Sequence, residues 1–397
     1  MHNIVETALV AMSSIKKPQR RFILGLLMVL TVFQGCANFR NMSRYSGMSE
    51  KRFSRWYGQP FDFKRFNSHL LEQNLPSDTS FIAAIDASFI TKSGRHTEGL
   101  GRFYNGCAGK AEQGLEVSLV SVVDLKSHTA FSLDARQTFD IKDQSRIDLY
   151  AQQVTELKDV LLQHGVRYLA CDAFYTKKNF IFPVTEAGFD IVGKLRSDAD
   201  LKWLYEGEYK GRGRPREFQG KVNFDEDLQQ FDAHGELKSG ESIYAKVVYS
   251  KLLKRNIQLV MLRWCRGKKV GRALLFSTDT ELAPQTLIRY YKARFQIEFV
   301  FRDAKQHLGL TQCQARSRKK IEMHMNASLA CLNVLKIEDR LQKNHSEASV
   351  ISIASWKRRK FNESFMKRLF DELGISLTCQ KATKIFNRYS GYGAIAA

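Results

Sequence analysis

Phe81-Ile82-Ala83-Ala84-Ile85-Asp86-Ala87-Ser88-Phe89-Ile90 reads as a β-strand whose first, wholly apolar half emerges at an acid. Two more runs rich in branched and apolar residues, Leu115 to Asp124 and Thr129 to Ala135, follow it across Gly-containing or polar turns, as in an antiparallel meander. An amphipathic stretch, Gln144 to His164, then leads to a fourth strand, Val166 to Asp172, and a further helical connection leads to Phe189 to Leu195. Three strands, helix, strand, helix, strand is the order of an α/β chain with a mixed sheet and helices on its faces.

Outward from this core the texture changes. Residues 1 to 75 carry helical patterns without strand alternation; Asn38 to Ser46 and Ser49 to Tyr57 form two short helices around Gly47-Met48, with Ser49 capping the second. That second helix sets Lys51, Arg52 and Arg55 beside Phe53 and Trp56, which suits either a recognition helix or an ordinary hairpin helix with a solvated basic face. From about Leu201 to Thr278 short strands and turns mark a β-rich insertion, with Ile257 to Trp264 strand-like. Helical periodicity returns from Ala283 to about Leu308 and persists to the end, through the basic Lys357-Arg358-Arg359-Lys360. The expected divisions are a helical domain at 1–75, a catalytic core split between 76–198 and 279–335, an insertion at 199–278, and a helical C-terminal region at 336–397. A ribonuclease-H-like fold is one familiar solution for such a core.

Lys and Arg number 62 against 41 Asp and Glu, a formal charge of +21 spread along the whole chain. A polyanionic partner, bound through phosphates in a salt-dependent way, is the first expectation; a merely basic enzyme surface is the alternative. Seven scattered cysteines with no Cys-x-x-Cys pair point to a reducing cytosol and away from structural zinc. Phe22 to Phe33 follows four basic residues and mimics an export signal, but twelve apolar residues cannot span a bilayer and Phe33-Gln34-Gly35 lacks a small-residue cleavage pattern. A buried helix and a cytoplasmic protein without a membrane partner are expected instead.

Asp86 and Asp172 each end an apolar strand, so neighbouring strands would bring the two carboxylates to one sheet edge, where they suit a hard cation. The third element lies in Tyr291-Lys292-Ala293-Arg294-Phe295-Gln296-Ile297-Glu298-Phe299-Val300-Phe301-Arg302-Asp303-Ala304-Lys305. On one continuous helix, at about 100° per residue, Tyr291, Arg294, Glu298 and Lys305 fall within roughly a 60° arc. Asp303 points elsewhere, and His307, at about 160°, lies off the stripe. Without the two aspartates the same stripe is an ordinary salt-bridged helix surface.

This spacing of Tyr, Arg, Glu and Lys resembles the signature of bacterial insertion-sequence transposases of the insertion-sequence-four type. The resemblance extends to Ile85-Asp86-Ala87-Ser88, to Ala170-Cys171-Asp172-Ala173-Phe174-Tyr175 and to a β-rich insertion before the third acid, over roughly residues 78 to 320. It implies that Asp86, Asp172 and Glu298 are the catalytic acids and hold two Mg2+ ions, with Mn2+ as a substitute, in a ribonuclease-H-like site. It implies that Arg294 and Lys305 grip DNA phosphates and that Tyr291 supports that contact. The partners implied are double-stranded DNA, both the terminal inverted repeats of the element and its target, and a second copy of the chain in a dimer on DNA; the place implied is the nucleoid.

Arg212-Gly213-Arg214-Pro215 resembles a minor-groove hook that would bring Arg212 and Arg214 to DNA. Trp264 is a candidate base-stacking platform or a buried strand residue, and Arg316, Arg318, Lys319 and Lys320 form a candidate backbone-binding cluster. Two other functions share these features: a DNA-binding regulator or inactive element copy without catalysis, and a ribonuclease-H-like nuclease without strand transfer.

Overall fold

The apolar run that opens at Phe81 is an eleven-residue strand, and the elements around it follow the hydrophobic pattern closely. The computed structural model describes residues 1–209, 211, 214–267, 269–343 and 351–395. Helices α1 (His2–Ala11), α2 (Lys17–Val32), α3 (Phe39–Arg44), α4 (Glu50–Tyr57) and α5 (Phe63–Asn74) come first. Strands β1 (Phe81–Thr91), β2 (Gly101–Asn105), β3 (Lys110–Asp124) and β4 (Thr129–Gln137) follow. Then come α6 (Arg146–Glu156), α7 (Lys158–Gln163), β5 (Tyr168–Ala170), α8 (Lys178–Glu186) and β6 (Asp190–Leu195). The next strands are β7 (Leu201–Leu204), β8 (Phe218–Lys221), β9 (Asp232–Glu236), β10 (Ser242–Ser250), β11 (Arg255–Arg266) and β12 (Lys269–Ser277). Helices α9 (Pro284–Ala293), α10 (Gln296–His307), α11 (Arg318–Gln342), α12 (Ile353–Glu372) and α13 (Gln380–Ser390) complete the order. The chain is thus mixed α+β, with parallel and antiparallel strand pairs.

It forms two compact units, one of Met1–Thr79, Ala87–Asp140 and Ile297–Ala397, the other of Ser80–Asp86 and Ile141–Gln296. In the second unit β1 pairs in parallel with β5, and β5 with β6. β6 continues antiparallel to β12, and the order runs on through β11, β10, β7 and β8, with β9 on the side of β10. The strands after Leu201 therefore extend the sheet of β5 and β6. Its core joins Val192, Val260 and Leu275 from the strands to Leu287 and Ile288 of α9. Burying one such aliphatic side chain contributes about 1.5–3 kcal/mol.

In the first unit α11 is buried along most of its length. The apolar stretch from Phe22 is α2, with Phe22, Ile23, Leu26, Leu27 and Leu30 buried. No helix among the described residues is long and apolar enough to cross a membrane. α4 starts where Ser49 Oγ accepts from the Arg52 amide, and it buries Phe53 and Tyr57.

Three polar residues of α11 serve a strand. Asn326 accepts from the Ala135 amide (3.0 Å) and donates to the Ala135 carbonyl (2.8 Å). Asn333 accepts from the Ser132 amide (2.9 Å) and donates to the Ser132 carbonyl (2.8 Å) and to Asn67 Oδ1 (3.0 Å). Asn67 Nδ2 donates to the Leu133 carbonyl, and Lys336 Nζ to that of Ala130. Seven residues of helix span about 10.5 Å and three residues of strand about 10 Å; the odd spacing of Ser132 and Ala135 is accommodated by the register shift of β4 against β3, which leaves Leu133 without a partner residue. Each carboxamide presents a donor and an acceptor to one residue, as a neighbouring strand does.

Three expectations need correction. The helix expected at Gln144 to His164 is divided at Leu157, which leaves helical geometry (φ −95°, ψ 2°). The strand expected at Val166 to Asp172 is regular only at Tyr168–Ala170, although the Cys171 amide still bonds to the Val192 carbonyl at 3.0 Å. The helix expected from Ala283 to Leu308 is interrupted at Arg294-Phe295, where the Phe295 amide bonds three residues back, to Lys292. The apolar faces explain that break: Leu287 and Ile288 of α9 pack into the second unit, whereas Ile297, Val300, Phe301 and Ala304 of α10 are buried in the first.

Candidate active site

Parallel pairing joins the segments that lead to the two aspartates; Asp86, expected to end its strand, lies in the middle of β1, and Asp172 lies two residues past β5. Ala83 faces Leu169 and Ala84 faces Ala170, and this pairing ends two residues before Asp86 and Asp172. Parallel strands lie about 4.8 Å apart, so the chain carries both acids away from one paired stretch. Asp172 is still extended (φ −82°, ψ 179°), and its Oδ1 accepts from the Phe174 amide at 2.8 Å, which starts the single 3-10 turn Ala173–Tyr175.

α9 supplies the balancing charge. Arg294, at its C-terminal cap, places Nη1 3.5 Å from Asp86 Oδ2, with both side chains largely shielded (13% and 21% exposed). Its guanidinium carbon is 5.9 Å from the centre of the Tyr291 ring. Burial pushes the Tyr291 phenol above its ordinary range, Arg294 opposes that rise, and Asp172 and Cys171 add to it. The Cys171 thiol, wholly buried, is likewise raised, first by burial and then by Asp172. Asp86, Asp172, Tyr291 and Arg294 are therefore one electrostatic cluster of two acids, a cation and a neutral phenol, built within the second unit. Carboxylate oxygens of this kind are the donor set of a hard divalent cation rather than of zinc.

Glu298 and Lys305 belong to the first unit, on α10. They lie seven residues apart, about 20° from eclipsed, whereas Asp303 is about 140° from Glu298. Asp303 is buried and accepts from Arg302 Nε at 3.0 Å. Glu298 is half-buried. Lys305 Nζ donates to Ser88 Oγ and to the Phe89 carbonyl, both at 2.8 Å, and burial lowers its pKa. It thus ties α10 to the later half of β1. The single-helix phase that aligned Tyr291 and Arg294 with Glu298 does not survive the break at Arg294-Phe295; within α10 the distinction between Glu298 and Asp303 does. Among the described residues no group of three or more His, Cys, Asp or Glu side chains is placed to hold a metal ion.

On α4, Lys51 and Arg55 are exposed, Arg52 is half-buried, and Trp56 stacks on Phe22 (5.7 Å, 15°). Arg214 is exposed and pairs with Glu217 at 2.6 Å, a surface contact worth about 0–1 kcal/mol; Arg212 lies outside the described residues. Trp264 is half-buried, its indole over Gly271 of the neighbouring strand, where any Cβ would meet Nε1 at 2.4 Å. The His307 carbonyl accepts from Lys357 Nζ at 2.6 Å. Arg318 pairs with Glu322 at 3.0 Å, and Lys320 donates to Ser54 Oγ at 2.9 Å. Sequence reasoning passed over Cys171 and Ser88, whose partners become visible only once strands and helices are in place.

A family profile described as the transposase DDE domain matches residues 80–334, more than half of the chain. No match exists among curated proteins. Among solved structures the chain is similar to the NurA nuclease from Sulfolobus solfataricus, at 10% identity and a TM-score of 0.24, over 69% of this chain and 90% of that one. A score that low carries no weight for fold or activity.

Proposed function

The chain belongs to the transposase DDE-domain family, and we propose from that premise that it cuts the ends of its own insertion sequence and joins them to new DNA. The observation that supports this most is the parallel pairing of the segments that lead to Asp86 and Asp172, with Arg294 paired to Asp86. We take Asp86, Asp172 and Glu298 as the acid set, a ribonuclease-H-like core as its frame, and the insertion-sequence-four type, with its Tyr-Arg-Glu-Lys signature, as the nearest kind. These carboxylates would hold Mg2+, or Mn2+ in its place, which when bound supplies Lewis acidity to the attacking and leaving oxygens of an in-line phosphoryl transfer.

The residues of the chain do the rest. Arg294 pairs with Asp86 and meets the phosphate that flanks the cut. Tyr291, kept protonated by burial, donates a hydrogen bond there. Lys305 braces the backbone just beyond Asp86, so its contribution to phosphate contact is secondary to positioning. Purified protein with Mg2+ and DNA carrying the flanking repeats of its element should yield nicked and then joined products. Nicking without joining would leave a nuclease, and binding without nicking would leave a regulator.

The basic face of α4 is the proposed end-binding element, acting in a homodimer on DNA at the nucleoid. Changing Lys51, Arg52 and Arg55 together to Gln should weaken end binding and flatten the dependence of log affinity on log salt by about 2–3. An unchanged slope in filter binding between low and moderate salt would remove α4 from the contact.

A further inference from the structure

A cavity of about 610 Å³ opens in the first unit between the start of α3 and the loop that enters α11. Its volume is that of a pocket for a small ligand. Phe39 lines it, half-buried, with a rigid backing: its ring lies nearly parallel to Phe53 (6.2 Å, 12°) and edge-on to Tyr57 (4.7 Å). Three cations, Arg40, Arg316 and Lys320, line the same cavity against one carboxylate, Glu50. Arg40 and Arg316 are exposed and take part in no ion pair among the described residues, so their charge is not spent inside the fold. Behind this lining the hydroxyl of Tyr57 is fully buried without a hydrogen-bond partner, and it lies within electrostatic reach of Cys313, another lining residue. An aromatic plate beside surplus positive charge has a specific complement, a flat base joined to an oxyanion.

The geometry points to this cavity as a binding site for a nucleoside monophosphate, with the base against Phe39 and the phosphate between Arg40, Arg316 and Lys320. The site shares no residue with the cluster around the two aspartates, and it rests on the DNA reading above only for the source of the nucleotide, which is either free or part of a single strand. Both arginine side chains are exposed at the lining of the cavity. The Arg40 and Arg316 carbonyls that accept from Ser43 Oγ and the Glu98 amide are backbone groups, which substitution leaves in place.

Calorimetric titration of the full chain tests it with three probes: deoxyadenosine monophosphate, deoxyadenosine and inorganic phosphate. The monophosphate should bind at least about tenfold more tightly than either fragment, because it engages both halves of the site. The double variant Arg40→Gln with Arg316→Gln should lose at least about tenfold in that affinity while its circular dichroism stays that of the parent chain. Displacement of the monophosphate by a short oligodeoxyadenylate identifies a strand nucleotide as the occupant, and failure to displace identifies a free one. Equal affinity for the three probes, or indifference to the double variant, overturns the proposal. A chain that binds the monophosphate but cuts no DNA keeps this inference and loses the transposition reading; a chain that cuts DNA yet ignores the monophosphate does the reverse.

Discussion

Asp172→Asn should lower strand cleavage about a thousandfold or more, equivalent to ~4 kcal/mol of transition-state stabilisation, and leave DNA binding within about twofold. Asn matches the shape of Asp, and its Oδ1 can still accept from the Phe174 amide, now at 2.8 Å, so the turn after β5 persists. What disappears is one negative charge beside Asp86. The phenol of Tyr291 supplies a reading of that change independent of catalysis. Asp172 raises its pKa in the parent chain, so the variant should titrate at lower pH in ultraviolet absorbance. Cleavage at the parental rate would exclude Asp172 from the reaction, while an unmoved Tyr291 titration would show that the two side chains are not coupled.

Asn333→Ala is the substitution expected to cost most in stability. It strands three buried polar groups at once, the Ser132 amide, the Ser132 carbonyl and Asn67 Oδ1, which Asn333 now meets at 2.8–3.0 Å. At about 1–3 kcal/mol for each group left unsatisfied, with some relief from entering water, the first unit should lose ~3–5 kcal/mol. Urea unfolding measures the loss, and hydrogen exchange at the Ser132 amide localises it. A loss under about 1 kcal/mol with Ser132 still protected would mean that the carboxamide is not what holds β4.

Much of this was legible in the chain because the apolar runs are long and end at acids. Ile82 to Ile85 reads as a buried strand, and Asp86 marks the end of its apolar run, although the strand itself continues to Thr91. The pairing of β1 with β5 could not be read that way, since nothing in either run names its neighbour; the register that sets Ala84 against Ala170 is a tertiary fact. The helix from Ala283 misled because its period is nearly continuous across Arg294-Phe295. Periodicity reports that each segment has an apolar face, not that both faces serve the same core. Burial of Asn326, Asn333 and Lys336 was equally hidden. In sequence they are polar interruptions of an apolar helix, and their meaning depends on a strand some 200 residues earlier.

That distance sets a schedule for synthesis. Ala135 leaves the ribosome 191 residues before Asn326, which closes its hydrogen bonds. At about 5–20 residues per second the interval is roughly 10–40 s. Throughout it β4 has one open flank, the kind of edge that recruits strands from other chains. The nascent protein is therefore most prone to association after its sheet strands have emerged and before α11 has, and a ribosome that stalls in the insertion would release a chain with that edge still open.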